Sequence, residues 1–260
     1  MSSTFVTSAD DTRLHAVVHG DGARDILVLG GLAEHAGRYA HVAATWTSRG
    51  ARVTVMELRG HGNSGGTRSH VLNWEEYVAD VRAVAESQRP GWTMFAHSMG
   101  GLVALDALGS GLAPARVALS NPLCGVKMKV PGWKTGVGRA LSRIWPSLAL
   151  ANDLDPAHLS RDPAVGKAYL ADPNVYAKVT ARWFTEMTAA QGRVAAMSAP
   201  PMPIRFFLSD SDPITDAAAA RKVAASIGAS VQAYPGMLHE LVNEIGKEAV
   251  IADMGDWLLG

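Results

Sequence analysis

Ser98 lies between a short apolar segment and a helix-forming segment, and this position could give its hydroxyl a chemical role. Residues 91–95 before it are typical of a buried strand, and residues 102–108 after it contain neither glycine nor proline. A serine on such a sharp strand-to-helix turn is the nucleophile of the G-x-S-x-G motif. The first glycine of that motif is Ala96 here, which adds little bulk, and Gly100 keeps the second. A plain strand-turn-helix would look the same, so the interpretation depends on finding a base and an acid elsewhere.

A serine hydroxyl is a weak nucleophile unless a base removes its proton and an acid orients that base. On this kind of scaffold the acid and the histidine follow the serine in that order. Asp210 and Asp212 both follow the predicted strand at residues 204–208, and we favour Asp212 because a proline next to it fixes the turn. Asp210 is then a turn-capping carboxylate. Of nine histidines, His239 alone follows the last predicted strand. The sequence therefore predicts Ser98, Asp212 and His239 as a catalytic triad.

Two backbone amides are needed to bind the oxyanion that forms during acyl transfer. The amide of Met99, directly after the nucleophile, is the first candidate. The second belongs to the glycine-rich loop at residues 30–39, which follows the third predicted strand. Within that loop the Leu32 amide is the expected donor, because the preceding glycines let the backbone approach a substrate closely.

Strands alternate with helices along most of the chain. This order predicts a mostly parallel central sheet with helices on both faces and functional groups at the carboxyl ends of its strands. The alternation stops between residues 122 and 201, where only helical stretches separated by proline and glycine are found. We therefore expect an α/β core formed by residues 1–121 and 202–260, with residues 122–201 inserted as a helical cap.

Composition narrows the class of protein. Lys+Arg and Asp+Glu each number 24, and this balance argues against a nucleic-acid partner. No segment has the length of a membrane span, and the first residues do not form a secretory signal. Cys124 is the single cysteine, so no intrachain disulfide is expected and a reducing compartment is suitable. We expect a cytoplasmic protein. No metal-binding or phosphate-binding motif is found, so neither metal nor cofactor is expected, and the oligomeric state is not indicated.

The motifs, taken in order, resemble those of the monoacylglycerol lipase and lysophospholipase group of α/β-hydrolases. They are the oxyanion segment at 31–39, the R-G-H-G-x-S-x-G loop at 59–66, the nucleophile box at 97–101, the histidine segment at 236–244, and two cap motifs at 159–163 and 169–173. The resemblance spans nearly the whole chain and implies the α/β-hydrolase fold. Two positions depart from the pattern: Gly30 replaces a usual histidine and Ala96 a usual glycine. These departures bear on efficiency and substrate more than on reaction type.

The resemblance also implies where the alcohol part of an ester would bind. In such lipases it lies beside the oxyanion loop, near a Glu, an Arg and a cap Tyr. The matching residues here are Glu34, Arg38 and Tyr169. A simpler interpretation stays open, because Glu34 and Arg38 are four residues apart and can pair to brace the loop.

The cap contains a candidate amphipathic helix at residues 136–150. Its apolar positions are Val137, Leu141, Ile144, Trp145 and Leu148, and the basic residues around it are Lys127, Lys129, Lys134, Arg139 and Arg143. The apolar face either covers an acyl pocket or lies in a lipid interface with the basic residues near anionic headgroups. The second interpretation would bring a membrane-dissolved substrate to the site by peripheral contact.

Together these features predict a serine hydrolase that cleaves carboxylic esters, with a monoacylglycerol or a similar single-chain ester as substrate. A small-ester carboxylesterase, a lactonase or an acyltransferase would use the same triad and remains an alternative. A non-catalytic binding protein of this fold is a further alternative from a different class. An epoxide hydrolase or haloalkane dehalogenase is disfavoured, because those relatives carry an acid at the position of Ser98.

Overall fold

The strands and helices of the core follow the alternation expected from the sequence. A computed structural model describes residues 1–127 and 132–260, without the side chains of residues 132–135, 137 and 139. The strands are β1 (Ser2–Thr7), β2 (Arg13–His19), β3 (Arg24–Leu29), β4 (Ala51–Met56), β5 (Thr93–His97), β6 (Val117–Ser120), β7 (Ala149–Ala151), β8 (Lys178–Thr180), β9 (Ile204–Leu208) and β10 (Ser230–Ala233).

The helices cover both the core and the segment between β6 and β9. They are α1 (Ala40–Thr47), α2 (Glu75–Ala85), α3 (Ser98–Gly109), α4 (Gly132–Ile144), α5 (Pro163–Ala171), α6 (Ala181–Ala195), α7 (Ala217–Ser226) and α8 (Lys247–Leu259). Helix α7 begins where Asp216 accepts hydrogen bonds from the amides of Ala218 and Ala219, which satisfies two amides that the helix itself leaves unpaired. None of the helices in the described part of the chain combines the length and the apolar character needed to cross a membrane.

Eight strands form one sheet in the order β1-β2-β4-β3-β5-β6-β9-β10. The pairs β1–β2 and β2–β4 are antiparallel, and every later pair from β4 to β10 is parallel. The predicted mostly parallel sheet is therefore confirmed. In such a sheet the carboxyl ends of the parallel strands lie at one edge, which is where a site is expected.

The central strands are buried on both faces. Ile26 and Val28 of β3 pack with Trp46 of α1 and with α8. Leu27 and Leu29, which point the other way, pack with α2, α3, α6 and α7. Each such aliphatic side chain contributes roughly 1.5–3 kcal/mol when it is removed from water. The two layers of helices hold the sheet, and with it the edge that carries the site, in a fixed geometry.

The segment between β6 and β9 differs from the prediction in two respects. Strands β7 and β8 pair antiparallel, although only helices were expected there. Each has three residues, which is too short for a two-residue alternation to be recognised. The helix predicted for residues 136–150 is also too long, because α4 ends at Ile144 and the residue before Pro146 is disfavoured in a helix.

The predicted apolar face is correspondingly shorter. Leu148 lies beyond the helix end, and both Ile144 and Trp145 are exposed to solvent. Lys129 and the side chains of Val137, Lys134 and Arg139, which were named for this region, lie outside the described residues. Leu141 is partly buried.

Candidate active site

Ser98 occupies the sharp turn between β5 and α3. Its φ angle is +52°, a left-handed conformation that strains any residue except glycine. This conformation is typical of the sharp turn that exposes a nucleophilic side chain at the end of a strand. A side chain at Gly100 would place its Cβ 2.4 Å from the carbonyl oxygen of Gly30, so a glycine is needed for α3 to approach the neighbouring loop. Ala96, the departure from the motif, is fully buried in β5.

Ser98, His239 and Asp212 form one hydrogen-bonded line. The Ser98 hydroxyl lies 2.9 Å from Nε2 of His239, and Nδ1 of His239 lies 2.7 Å from Oδ2 of Asp212. All three residues are buried. The competing Asp210 is exposed and pairs with Arg221. The structure thus brings together the three residues predicted as a triad and separates Asp210 from them.

The Asp212 carboxylate is held by four donors. Besides His239, the Thr215 hydroxyl donates at 2.6 Å, and the amides of Ile214 and Thr215 donate at 2.7 and 3.1 Å. Burial alone would raise the pKa of Asp212, but the nearby His239 and these hydrogen bonds bring it to about 2. The carboxylate is therefore ionised at neutral pH and fixed in one orientation.

His239 and His97 lie beside each other with opposite pKa shifts. Burial lowers the pKa of His239, but the charge and hydrogen bond of Asp212 outweigh burial and raise it above the ordinary value. Burial, with the neighbouring His239, lowers the pKa of His97 to about 4. The rings are 4.7 Å apart, and Nδ1 of His97 is 3.0 Å from the Ser120 carbonyl oxygen. His97 is therefore neutral and anchored, whereas His239 is set up to accept a proton.

The loop expected to provide the second oxyanion donor lies directly against Ser98. A Cβ added at Gly31 would stand 3.2 Å from the Cβ of Ser98, so a larger residue here would require the neighbouring atoms to shift. The chain then turns through residues 31–34, with Ala33 at a φ of +59°. Within residues 1–127 and 132–260, the amides of Leu32 and Met99 donate to no protein acceptor, and both are free to bind an oxyanion.

The Glu34 carboxylate stabilises this loop through three hydrogen bonds. Its Oε2 accepts hydrogen bonds from the Gly31 amide and the Tyr39 hydroxyl, both at 2.5 Å. Its Oε1 accepts from Nε of Arg38 at 3.0 Å. Burial alone would raise the pKa of Glu34, but Arg38 and these donors bring it to about 2. The bracing interpretation of Glu34 and Arg38 therefore has direct geometric support.

Arg38 joins Glu34 to the loop that carries His239. Its Nη2 atom lies 2.6 Å from both carboxylate oxygens of Glu240, and its guanidinium stands 5.4 Å from the centre of the Tyr169 ring. Burial, together with the neighbouring Glu34 carboxylate, raises the pKa of Glu240. The three residues matched to the alcohol site thus lie in one cluster, with Tyr169 contributed by α5.

A cavity of about 410 Å³ opens above Ser98 and His239. Glu34, Tyr169 and Glu240 line it where they meet around Arg38, and we call this region the polar end of the cavity. The rest is lined mainly by apolar side chains from the core and from the segment between β6 and β9, among them Leu123, Leu141, Val179, Trp183, Phe184 and Met187. Such a cavity can bind a molecule with an apolar chain and a polar end, with the bond between them near Ser98.

Sequence reasoning assigned no role to several residues of this site. Thr215 orients Asp212 through its hydroxyl. Asn121 donates to the His239 carbonyl oxygen at 2.8 Å and accepts from the Ser209 amide at 2.8 Å. The spacing of Thr215, three residues after Asp212, is a signal that could have identified it. Asn121 directly follows β6, so its place at the same sheet edge was also predictable in principle.

Comparison with known proteins agrees with this geometry. The family model described as serine aminopeptidase, S33, matches residues 22–246. The monoacylglycerol lipase of Mycolicibacterium smegmatis is 33% identical over 252 residues, which cover 91% of this chain and 88% of that protein. An abhydrolase domain-containing protein of Dictyostelium discoideum is 29% identical over 245 residues, and the match spans 90% of this chain but only 26% of that longer protein.

A solved structure is similar over nearly the full length of both chains. The crystal structure of Paleococcus ferrophilus monoacylglycerol lipase superposes with a TM-score of 0.84 at 25% identity, covering 95% of this chain and 98% of that chain. The predicted resemblance and fold class are thereby confirmed. The chain belongs to the serine aminopeptidase, S33, family and is a serine ester hydrolase of the α/β-hydrolase fold.

Proposed function

We propose that this chain is a monoacylglycerol lipase that cleaves its substrate through an acyl-enzyme on Ser98. The observation that carries the proposal is the hydrogen-bonded chain from Asp212 through His239 to Ser98, which ends in a cavity lined mainly by apolar side chains but also by the polar groups of Glu34, Tyr169 and Glu240. A single-chain ester of a small polyol has the same division into an apolar chain and a polar end. The names of the two monoacylglycerol lipases described above support the same substrate class.

In this mechanism His239 removes the proton of Ser98 while Oγ attacks the ester carbonyl carbon. The Leu32 and Met99 amides donate to the oxyanion that forms. His239 then gives the proton to the leaving alcohol oxygen as the ester bond breaks, which leaves the acyl group on Ser98. Water, deprotonated by His239, attacks the acyl carbon and releases the fatty acid, and the proton returns to Ser98. Asp212 stabilises the imidazolium in both steps and keeps Nδ1 protonated.

The alcohol part is assigned to the polar end of the cavity, beside Glu34, Arg38 and Tyr169. The Tyr169 hydroxyl makes no hydrogen bond within the described residues and is available to a substrate hydroxyl. Glu34 already accepts three hydrogen bonds, and a carboxylate has about four acceptor positions. Tyr169 is therefore the principal contact of the three in this proposal, with Glu34 and Arg38 holding the wall around it.

The test of the chemistry is the reaction of Ser98 with a fluorophosphonate probe and with a chromogenic ester. The native protein is expected to be labelled and to give a burst of acylation, and Ser98→Ala to do neither. Labelling or a burst that survives in Ser98→Ala contradicts the assignment. A panel of monoacylglycerols and soluble short-chain esters then separates a lipase from a small-ester carboxylesterase, a lactonase or an acyltransferase.

We further infer that residues 122–201 act as a cap that contacts a lipid surface. At the end of α4, Ile144 is 82% exposed and Trp145 is 59% exposed, with the exposed Arg143 beside them. Leu141, one turn earlier, lines the cavity. Exposed apolar side chains flanked by a cation are typical of a helix that rests in a membrane interface, and here they lie one turn from a residue of the cavity wall.

Vesicle flotation tests this contact. Ile144→Glu and Trp145→Glu are expected to reduce binding to vesicles containing anionic lipid, with unchanged activity on a soluble ester. Leu72→Glu, at an exposed apolar position outside residues 122–201, is the matched control. Equal binding of all variants contradicts the contact.

We propose that the protein is located in the cytoplasm. Its single cysteine, which is free and buried, stays reduced in that compartment.

A further inference from the structure

The backbone of the cap is hydrogen-bonded to the loop that carries the catalytic histidine. The His239 amide donates to the His158 carbonyl oxygen at 3.4 Å, and the Glu240 amide donates to the Leu159 carbonyl oxygen at 2.8 Å. From the core side, Asn121 donates to the His239 carbonyl oxygen. The peptide groups on both sides of the histidine are therefore fixed by contacts from different parts of the chain.

An ion pair between a buried carboxylate and a partly exposed arginine lies next to these backbone contacts. Glu244, whose side chain is fully buried, accepts hydrogen bonds from the amide of Arg161 and from its Nε atom, the latter at 2.7 Å. Arg161 also donates to the Ile245 carbonyl oxygen at 3.1 Å, and the Ser160 hydroxyl donates to the Asn243 carbonyl oxygen at 3.1 Å. A buried carboxylate that loses its cationic partner is strongly unfavourable, so the pair keeps the two segments together.

Arg161 and Glu244 belong to motifs that have no role in the proposed acyl-enzyme mechanism. Arg161 belongs to the cap motif at 159–163, and Glu244 closes the histidine segment at 236–244. Neither side chain lines the cavity. The two residues are 83 positions apart in the chain, so their contact joins two motifs that are distant in sequence.

We propose that Arg161 and Glu244 position the loop of His239, so that the cap holds the catalytic base in place for proton transfer. The loop runs from β10 to α8 and contains only a short 3₁₀ turn at Leu241–Asn243, so it has little regular structure of its own. A displacement of about 1 Å at a reacting group can reduce a rate roughly a hundredfold. Arg161 and Glu244 are thus positioning residues, and this role rests on the proposed acyl-enzyme chemistry.

The test compares Arg161→Gln with a control that cuts another link between cap and core. Arg193 of α6 binds Asp106 of α3 at 2.6 and 3.1 Å, and its side chain is 40% exposed, close to the 44% of Arg161. We expect kcat on a soluble ester to fall by roughly tenfold to a hundredfold in Arg161→Gln with little change in KM. Arg193→Gln should keep the native kcat.

A second readout reports on the histidine itself. The proton shared by His239 and Asp212 is expected to give a low-field proton NMR signal that Asp212→Asn removes. That signal should weaken or shift in Arg161→Gln and stay unchanged in Arg193→Gln. Arg161→Lys keeps the charge but loses the fork geometry of the guanidinium, so it should give an intermediate kcat.

Other outcomes overturn the inference. A lower melting temperature with native kcat and an unchanged NMR signal would mean that the ion pair serves stability alone. Equal losses in Arg161→Gln and Arg193→Gln would point to general loosening of the cap. If Arg161→Gln does not fold, Arg161→Lys decides, and native kcat in that variant rejects the proposal. Failure of the native protein to react with a fluorophosphonate would instead reject the proposed function, before any variant is compared.

Discussion

The two walls of the cavity are built on different physical principles. The core wall carries Ser98, Asp212 and His239, which are buried and joined by short directional hydrogen bonds. The wall formed by the segment between β6 and β9 presents apolar side chains such as Leu141 and Phe184. Directional bonds fix positions to a few tenths of an ångström, whereas apolar contacts depend on buried area and tolerate changes of shape.

This difference assigns separate tasks to the two walls. Substitutions in the core wall should change the rate for every substrate, because they disturb atoms that move protons or hold charge. Substitutions in the opposite wall should change which acyl chain is preferred and leave the chemistry intact. The separation is incomplete where the Arg161–Glu244 pair and two backbone hydrogen bonds join the second wall to the loop of His239.

Asp212→Asn tests the core wall with the largest expected effect. The amide cannot stabilise the imidazolium or keep Nδ1 protonated, so kcat should fall roughly ten-thousandfold. Asp212 raises the pKa of His239, and the proposed mechanism needs neutral His239. In the native enzyme kcat/KM should therefore decline as pH falls through this raised pKa. In the variant the pKa drops and the residual decline moves to lower pH.

The measurement is a pH profile of kcat/KM for both proteins on a soluble ester. Asp210→Asn is the matched control, because Asp210 lies in the same loop but pairs with the exposed Arg221. A native profile in Asp212→Asn together with a large loss in Asp210→Asn would reverse the assignment of the acid.

Glu34→Gln addresses the polar end of the cavity. The amide nitrogen of glutamine cannot accept hydrogen bonds, so one of the contacts to Gly31, Tyr39 and Arg38 is lost. We expect kcat to fall about tenfold on all esters, less than the roughly hundredfold to thousandfold loss of a whole oxyanion donor. The exposed Glu86→Gln serves as control.

The pattern across substrates distinguishes the two interpretations of Glu34. Bracing of the loop predicts similar losses for nitrophenyl esters and monoacylglycerols. A higher KM for monoacylglycerols alone, with native rates on nitrophenyl esters, would mean that Glu34 binds the glycerol part directly.

Leu141→Trp should produce the smallest effect on rate and the clearest effect on selectivity. The larger side chain fills part of the apolar cavity, and each methylene that can no longer be buried loses about 0.8 kcal/mol. Exclusion of two methylenes therefore reduces kcat/KM about tenfold for long-chain esters and leaves short-chain esters unaffected. Leu170→Trp, on the exposed side of α5, is the control. Equal losses on both ester classes would contradict separate tasks for the two walls.

Much of the core was predictable because its signals are local. The strand-to-helix turn at Ser98 and the loop positions of Asp212 and His239 follow from patterns within a few residues, and the sheet order then brings them to one edge. The end of α4 before Pro146 was also a local signal, but the apolar spacing beyond it suggested a longer helix.

The features that could not be predicted from the sequence depend on contacts between distant segments. The pairing of β7 with β8 joins two three-residue strands that carry no periodicity of their own. The contact of Arg161 with Glu244 joins residues 83 positions apart, and nothing near either residue indicates its partner. Such pairings arise from tertiary packing, so a single sequence does not reveal them.

The environment of Cys124 has a practical consequence. Burial raises the pKa of this thiol to about 12, so almost no thiolate forms near neutral pH. Alkylating reagents should therefore leave the native chain unmodified. A cysteine introduced at an exposed position, such as that of Leu170, becomes the single reactive point for a fluorophore, and a label there can test the proposed contact of this segment with a vesicle without first removing any natural residue.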